Sequence, residues 1–307
     1  MSKTESHEPQ SIPTAVRALE MVLRGQARSV DGFTVSRILP SLLRKHVGPF
    51  TFFDHLGPSE LPAGRGLDVR PHPHIGLATV TYVIEGEIVH RDSLGFEQAI
   101  RPGAVNWMTS GRGITHSERT SSELRKTGSR LHVAQLWVAL PTAHEEMAPE
   151  FHHHAAETLP ELKLGGVKLR LLAGSAYGRT SPVRIYSPLF YVEAVLPSGT
   201  TLSLPEEHVE RGVYVLSGSL SCDGETLEER SLAIFNPGGK PSVRAETPSR
   251  ILLLGGDPPD GPRYIEWNFV SSSRERIELA KQQWQAGKFP KVPGDEIEFI
   301  PLPEPKR

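Results

Sequence analysis

The chain has 307 residues, 37% of them hydrophobic and 23% charged, with a formal net charge of -2 and a single cysteine, Cys222. That length and apolar content suffice for two domains with buried cores, the near-neutral charge offers no basic field to a phosphate backbone or an anionic membrane, and one cysteine excludes an internal disulfide. No apolar run approaches the roughly 18 residues of a membrane span, and the polar start MSKTESHEPQS resembles neither a secretion signal nor a transit peptide, so a cytoplasmic protein with no nucleic-acid or membrane partner is expected.

In chain order, PTAVRALEMVLRG comes first, with Val16, Leu19 and Val22 at helical spacing before Gly25, and predicts a helix. From about residue 31 the text changes: glycines and prolines punctuate short runs rich in β-branched residues, as an all-β barrel or sandwich requires. RPHPHIG (70–76) leads into the apolar run Leu77 to Ile84. On a strand, residues i and i+2 share a face, so His72 and His74 project together while Pro73 points away. His90, in IVHRDSLG, is expected to make a strand-end hydrogen bond. One of Trp107 and Met108, which alternate faces, should line the barrel as apolar wall. GRGITHSE then repeats the i, i+2 spacing with His116 and Glu118, and Gly111 and Gly113 provide a tight turn to deliver them. An isolated HxH pair is more often structural than a metal site. Two such pairs in one barrel unit change that balance, because three neutral imidazoles and one carboxylate suit a first-row divalent ion. Open coordination positions on such an ion suit non-haem iron.

Residues 143–166 read as a connector, broken by Pro149, Pro160 and paired glycines. Its run His152 to His154 points in successive directions and is not expected to bind a native metal. Beyond it the barrel unit recurs. YVIEGEI (82–88) is matched by YVLSGSL (214–220), and Pro102-Gly103 is matched by Pro237-Gly238. The offset between the copies carries His72 and His74 onto Leu204 and Glu206, and no histidine follows the second Pro-Gly. The second barrel is therefore expected to hold no metal. His208 reads as a solvated edge residue and Cys222 as apolar filler. At the end, SSSRERIELAKQQWQAG predicts a helix with Ser272 and Glu275 as a capping box, Ile277, Ala280 and Trp284 on one face and Gly287 as the stop. The organisation expected is an N-terminal segment (1–30), a metal-binding barrel (31–142), the connector (143–166), a ligand-free barrel (167–265) and a terminal helix with its tail (266–307).

RPHPHIGLATVTYVIEGEIVHRDSLG followed by PGAVNWMTSGRGITHSE resembles the pirin family of bicupins, and the tail GKFPKVPGDEIEFIPLP is similar to that of its bacterial members. The resemblance implies an all-β fold of two tandem cupin (jelly-roll) β-barrels with short terminal helices. It implies one iron, Fe(II), held by His72, His74, His116 and Glu118. The general cupin pattern has a glutamate where this chain has Ala78 and Thr79, and pirins use the later carboxylate instead, which favours the narrower family. The implied activity is quercetin 2,3-dioxygenation: O2 opens the heterocycle of a flavonol with loss of CO, and Glu118 is the candidate base. The alternative it carries is a non-enzymatic, metal- and redox-sensing regulator that binds a transcription factor or a metabolic enzyme.

Overall fold

A computed structural model describes residues 17–304. The first half contains strands β1 (Leu19–Arg24), β2 (Gln26–Val30), β3 (Phe33–Leu39), β4 (Phe50–Leu61), β5 (Asp68–His74), β6 (Leu77–Glu85), β7 (Ile88–Asp92), β8 (Glu97–Ile100), β9 (Val105–Thr109), β10 (Ile114–Arg119), β11 (Ser129–Ala139) and β12 (Glu150–His154). The second half contains β13 (Glu161–Leu164), β14 (Val167–Ala176), β15 (Arg179–Thr180), β16 (Leu189–Leu196), β17 (Thr201–Ser203), β18 (Glu210–Ser217), β19 (Leu220–Cys222), β20 (Glu225–Leu227), β21 (Ser231–Phe235), β22 (Ser242–Ala245) and β23 (Ser249–Gly256), followed by the hairpin β24 (Tyr264–Glu266) and β25 (Phe269–Ser271). Helix α1 (Ser122–Thr127) lies between β10 and β11, and α2 (Arg274–Gln285) follows β25.

The two halves are built alike. A large sheet β12-β9-β6-β11-β4-β3-β2 and a small one β5-β10-β7-β8 form the first barrel; β1-β21-β18-β23-β16-β14-β13 and β17-β22-β19-β20 form the second. The large sheets pack against each other, which explains why their central strands read as unbroken apolar runs. In β6, Ala78, Val80, Tyr82 and Ile84 enter the core between the barrels, whereas Val83 faces the first barrel's interior. In β18, Tyr214 and Leu216 enter the same shared core while Val213 and Val215 face the second interior. The repeated tyrosines bond across the seam. The Tyr82 hydroxyl donates to Glu193 Oε2 at 2.7 Å, and Tyr214 meets His55 Nδ1 at 2.8 Å.

Several expectations are corrected. The helix predicted around Leu19 and Val22 is strand β1, which pairs antiparallel with β21, and Val16 lies outside the described residues. A register shift between Leu19 and Met21 is the reason the spacing misleads. Such a bulge puts Leu19 and Val22 against the second barrel's core while Met21 and Leu23 face the shared core, which imitates helical i, i+3 spacing within a strand. The short helices are thus not both terminal: among the described residues only α2 lies near an end. The stretch 143–166 contributes an edge strand to each barrel, β12 to the first and β13 to the second. The cap of α2 is Ser273, whose Oγ accepts from the Arg276 amide at 3.2 Å, and not Ser272. Ser272 is taken by Glu145, whose carboxylate accepts from its amide and hydroxyl. The helix otherwise follows its sequence: Ile277 and Ala280 are buried, Trp284 packs beside them, and Gly287 sits at φ 65° just past the end.

After β23 the chain leaves the second barrel and returns to the first. Phe269 bridges in parallel to Ile75, the residue after β5, and joins Ile277, Ala280 and Phe289 in a small core there. Gly76 is required at this crossing. Its φ is 67°, and a Cβ would drive into the Val270 carbonyl. Among the described residues no helix is long and apolar enough to cross a membrane.

Candidate metal centre

β5 is the edge of its small sheet, which is where a strand containing Pro71 and Pro73 is tolerated, since neither has an amide to donate. Its other edge pairs with β10 in a register that sets His72 opposite His116 and His74 opposite Ile114. Gly111, at φ 48°, turns the chain into β10 at a point where a Cβ would strike the Met147 carbonyl. The result is a cluster of three buried histidines, His72, His74 and His116, each offering one ring nitrogen, with those nitrogens all within 4.8 Å of one another. The ring centroids are 4.3 to 5.0 Å apart.

Hydrogen bonds orient these rings from behind. His72 Nδ1 donates to the Arg70 carbonyl at 2.9 Å and His74 Nδ1 to the Asn268 carbonyl at 3.0 Å, so each presents a bare Nε2. His116 Nε2 is buried with no protein partner. A buried ring nitrogen without a partner is costly, and a ligated ion relieves that cost. Burial also keeps the three rings neutral. Desolvation brings His72 down to about 4, and it holds His74 and His116 well below the ordinary histidine value, with neighbouring imidazoles adding to the effect. Three neutral imidazoles fit a divalent first-row transition ion.

Glu118 is buried and lines the same cavity, yet its carboxylate is not a member of the tight group formed by the three nitrogens. A register shift between His116 and Glu118 lets Glu118 pair with Val69, and its Oε1 accepts from Thr81 Oγ1 at 3.2 Å. Burial raises its pKa above the usual carboxylate value, against the lowering influence of His90 and of the Thr81 bond.

The cavity in front of the histidines has a volume of about 400 Å³. Its walls are largely apolar, with Phe33, Leu56, Val69, Ile88 and Val133 among them. Phe52 and Trp137 stack there at 3.9 Å and 12°. The Arg37 guanidinium lies 4.5 Å above the Phe52 ring and is held by both oxygens of Asp54 at 2.8 and 2.7 Å. The returning C-terminal arm completes the wall with Trp267, Asn268 and Ile300. A scan of the first barrel's residues alone misses these three, and HxH spacing signals neither Phe52 nor Trp137.

The other singled-out residues lie elsewhere. His152 to His154 lie on edge strand β12, where His152 meets Glu150 and His153 meets Asn106, and they form no metal cluster with one another. His208 is not solvated as expected: it precedes β18, its side chain is 7% exposed, and it stacks on Phe190 with Nδ1 3.7 Å from Asp257 Oδ1. Cys222 is buried, and burial pushes its thiol up to about 11. Trp107 and Met108 are both buried, the first in the shared core and the second with Ile114 and Phe151. His90 makes the expected strand-end bond, to Asp92, and also lies against His116.

Comparison with known proteins agrees with this architecture. Residues 32–138 match the family model for pirin, and residues 191–290 match that for the pirin C-terminal cupin domain. The chain is 50% identical over 289 residues to a pirin-like protein of Caulobacter vibrioides, covering 93% of this chain and 100% of the relative. A crystal structure of quercetin 2,3-dioxygenase from Acinetobacter baumannii superposes with a TM-score of 0.86 at 34% identity, over 93% of this chain and 95% of that one. The bacterial pirin YhhW of Escherichia coli, solved in complex with nickel(II), shares the fold with a TM-score of 0.61 at 20% identity, over 78% of this chain and 100% of that one.

Proposed function

The chain belongs to the pirin family of two-cupin proteins, and on that premise we propose that it is an iron-dependent dioxygenase that opens the heterocycle of flavonols such as quercetin with O2 and releases CO. The observation that carries the reading is the pairing of three buried, neutral histidines with an apolar cavity of about 400 Å³ directly before them. His72, His74 and His116 would hold the ion, with Glu118 as the fourth donor. An iron(II) ion with open positions supplies one-electron chemistry toward O2 and a place for a chelating hydroxyl-ketone substrate.

The chain's own residues do the rest. The stacked Phe52 and Trp137 and the aliphatic walls accept a flat aromatic ligand and exclude water. Arg37, fixed by Asp54, supplies a positive edge for a phenolic oxygen. Glu118, if it loosens from the ion, is the carboxylate beside the three histidines placed to take the proton of the flavonol 3-hydroxyl. Thr81 donates to Glu118 and lies 2.8 Å from Gln135, which steadies that carboxylate.

The experiment is oxygen uptake and CO release by anaerobically iron-loaded protein given quercetin, beside metal-free protein. Flavonol-dependent uptake above that of free iron is expected. Glu118→Gln should depress kcat by about a hundredfold or more at matched metal content, the size of a general-base contribution, with flavonol binding changed less. A fully loaded protein that consumes no oxygen with any flavonol ends the dioxygenase reading and leaves the regulatory one, a metal-sensing partner of another protein.

A further inference from the structure

Two of the three histidines turn Nδ1 toward a backbone carbonyl, but His116 does not. Its Nδ1 lies 3.4 Å from Nδ1 of His90, so two imidazoles meet at the same type of nitrogen and only one of them can carry the hydrogen. The groups behind them decide which. His90 is on β7, which flanks β10, and its ring is 3% exposed and stacked on Phe151 at 4.3 Å and 10°. Its Nε2 lies 2.9 Å from Oδ2 of Asp92, which is fully buried. A carboxylate has only acceptors, so the His90 hydrogen is on Nε2 and its Nδ1 is a bare acceptor. His116 must then carry its hydrogen on Nδ1, which leaves Nε2, the buried nitrogen without a partner, free for an ion.

We infer that Asp92 and His90 form a buried carboxylate–imidazole relay that fixes the tautomer of His116 and backs this one ligand with negative charge. Both are positioning residues. The inference rests on the reading of the three histidines as a metal centre and deepens it: His116 is the ligand whose ring is backed by a hydrogen-bonded carboxylate relay, whereas Nδ1 of His72 and of His74 meets a neutral carbonyl.

The second oxygen of Asp92 is also committed. Oδ1 accepts from the Leu94 amide at 2.8 Å and the Phe96 amide at 3.3 Å, both in the turn that follows β7. An asparagine at this position has to keep its carbonyl on those two donors, and so its NH2 turns toward His90 Nε2. That forces the His90 hydrogen onto Nδ1, directly against the Nδ1 hydrogen of His116. His116 escapes only by moving its own hydrogen to Nε2, where it blocks the ion. Asp92→Asn, nearly isosteric, therefore inverts the relay, and Asp92→Asn/His90→Phe removes the conflict.

The test uses the full chain and nickel(II), which does not cycle with oxygen. Nitrogen-15 shifts of the imidazoles in metal-free protein at neutral pH should show His116 protonated at Nδ1 and His90 at Nε2, and both assignments should invert in Asp92→Asn. Calorimetric titration should show nickel affinity falling by about ten- to a hundredfold in Asp92→Asn, the usual cost of losing a partner behind a ligand, and recovering part of that loss in the double variant. A merely structural role predicts that the double variant is worse than the single one, and that result overturns the inference. So does a wild-type His116 with its hydrogen on Nε2, a measurement that stands even where Asp92→Asn fails to fold. Wild-type protein that takes up no nickel counts against the metal reading of the preceding section, and the tautomer of metal-free His116 still decides the relay.

Discussion

The two barrels share a topology and differ in what fills them. In the small sheet of the second barrel, β17 pairs with β22 as β5 pairs with β10 in the first. Where the first strand pair turns His72, His74, His116 and Glu118 inward, the second buries Leu202, Leu204, Val243 and Ala245 among Leu220 and Leu227. On the large sheets the contrast repeats. Trp137 and Gln135 line the first barrel's cavity, while Ile251 and Leu253 close the second. One scaffold thus serves as a container or as a solid, according to whether its inward positions are polar or aliphatic. The second barrel packs aliphatic side chains where the first holds a buried His116 Nε2 without a protein partner, and the expectation is that the packing of the one offsets the cost in the other.

Dividing the pair tests that dependence most severely. A fragment of residues 1–142 exposes the shared core that holds Phe50, Phe53, Tyr82, Tyr191 and Tyr214, and it separates β1 from β21. We expect it to be insoluble or molten when examined by near-ultraviolet circular dichroism; a folded, metal-loaded fragment would show that the first barrel stands alone. Next in size, Leu253→Ala in the second barrel should cost about 2–5 kcal/mol in urea unfolding of the whole chain, the usual range for a buried leucine. A much smaller loss of stability is expected of His116→Leu. It removes the buried Nε2 that has no partner but also takes the donor from His90 Nδ1, so the metal-free protein should melt close to wild type while losing metal by at least about a hundredfold. Stoichiometric metal in that variant would refute the histidine assignment, and a large drop in melting temperature would erase the proposed division of labour.

The smallest effect lies at the seam. His55 and His132 meet through their Nε2 atoms at 2.5 Å, and burial lowers His55 to about 3 and His132 to about 4. Because the folded values lie below the unfolded value near 6.5, the unfolded chain binds more protons in between. Stability from this pair is therefore complete above about pH 6.5 and is lost as the pH falls toward 4. Denaturation midpoints should decline over that window, and His55→Phe/His132→Leu should flatten the part of the decline that the seam contributes. An unchanged profile would place all of the pH dependence elsewhere.

The candidate ligands are legible in the sequence because they are local. His72 with His74, and His116 with Glu118, need only the two-residue strand period, and the Pro-Gly repeat marks the barrel around them. What stayed hidden depends on partners far along the chain. β1 carries a helical spacing because its bulge is set in the pairing with β21, about 210 residues away. Ser272 has the spacing of a cap, and nothing in its own segment announces Glu145. His90 was read correctly as hydrogen-bonded at a strand end, but its second neighbour, His116, is set by the β7–β10 register. The cavity wall formed by Trp267, Asn268 and Ile300 arrives from the opposite end of the sequence. Contact distance along the chain, more than residue type, separates the two groups.

That return has a consequence for how the molecule is made. His74 is oriented by the carbonyl of Asn268, and Ile300 donates its amide to the Pro71 carbonyl beside it. At about 5–20 residues per second, the ribosome delivers Asn268 roughly ten to forty seconds after His74. During that interval the nascent chain already displays the histidines of β5 and β10, but the cavity has no rear wall and His74 lacks its orienting acceptor. A chain cut short of Asn268 would therefore carry the HxH and HxE motifs without the finished cavity.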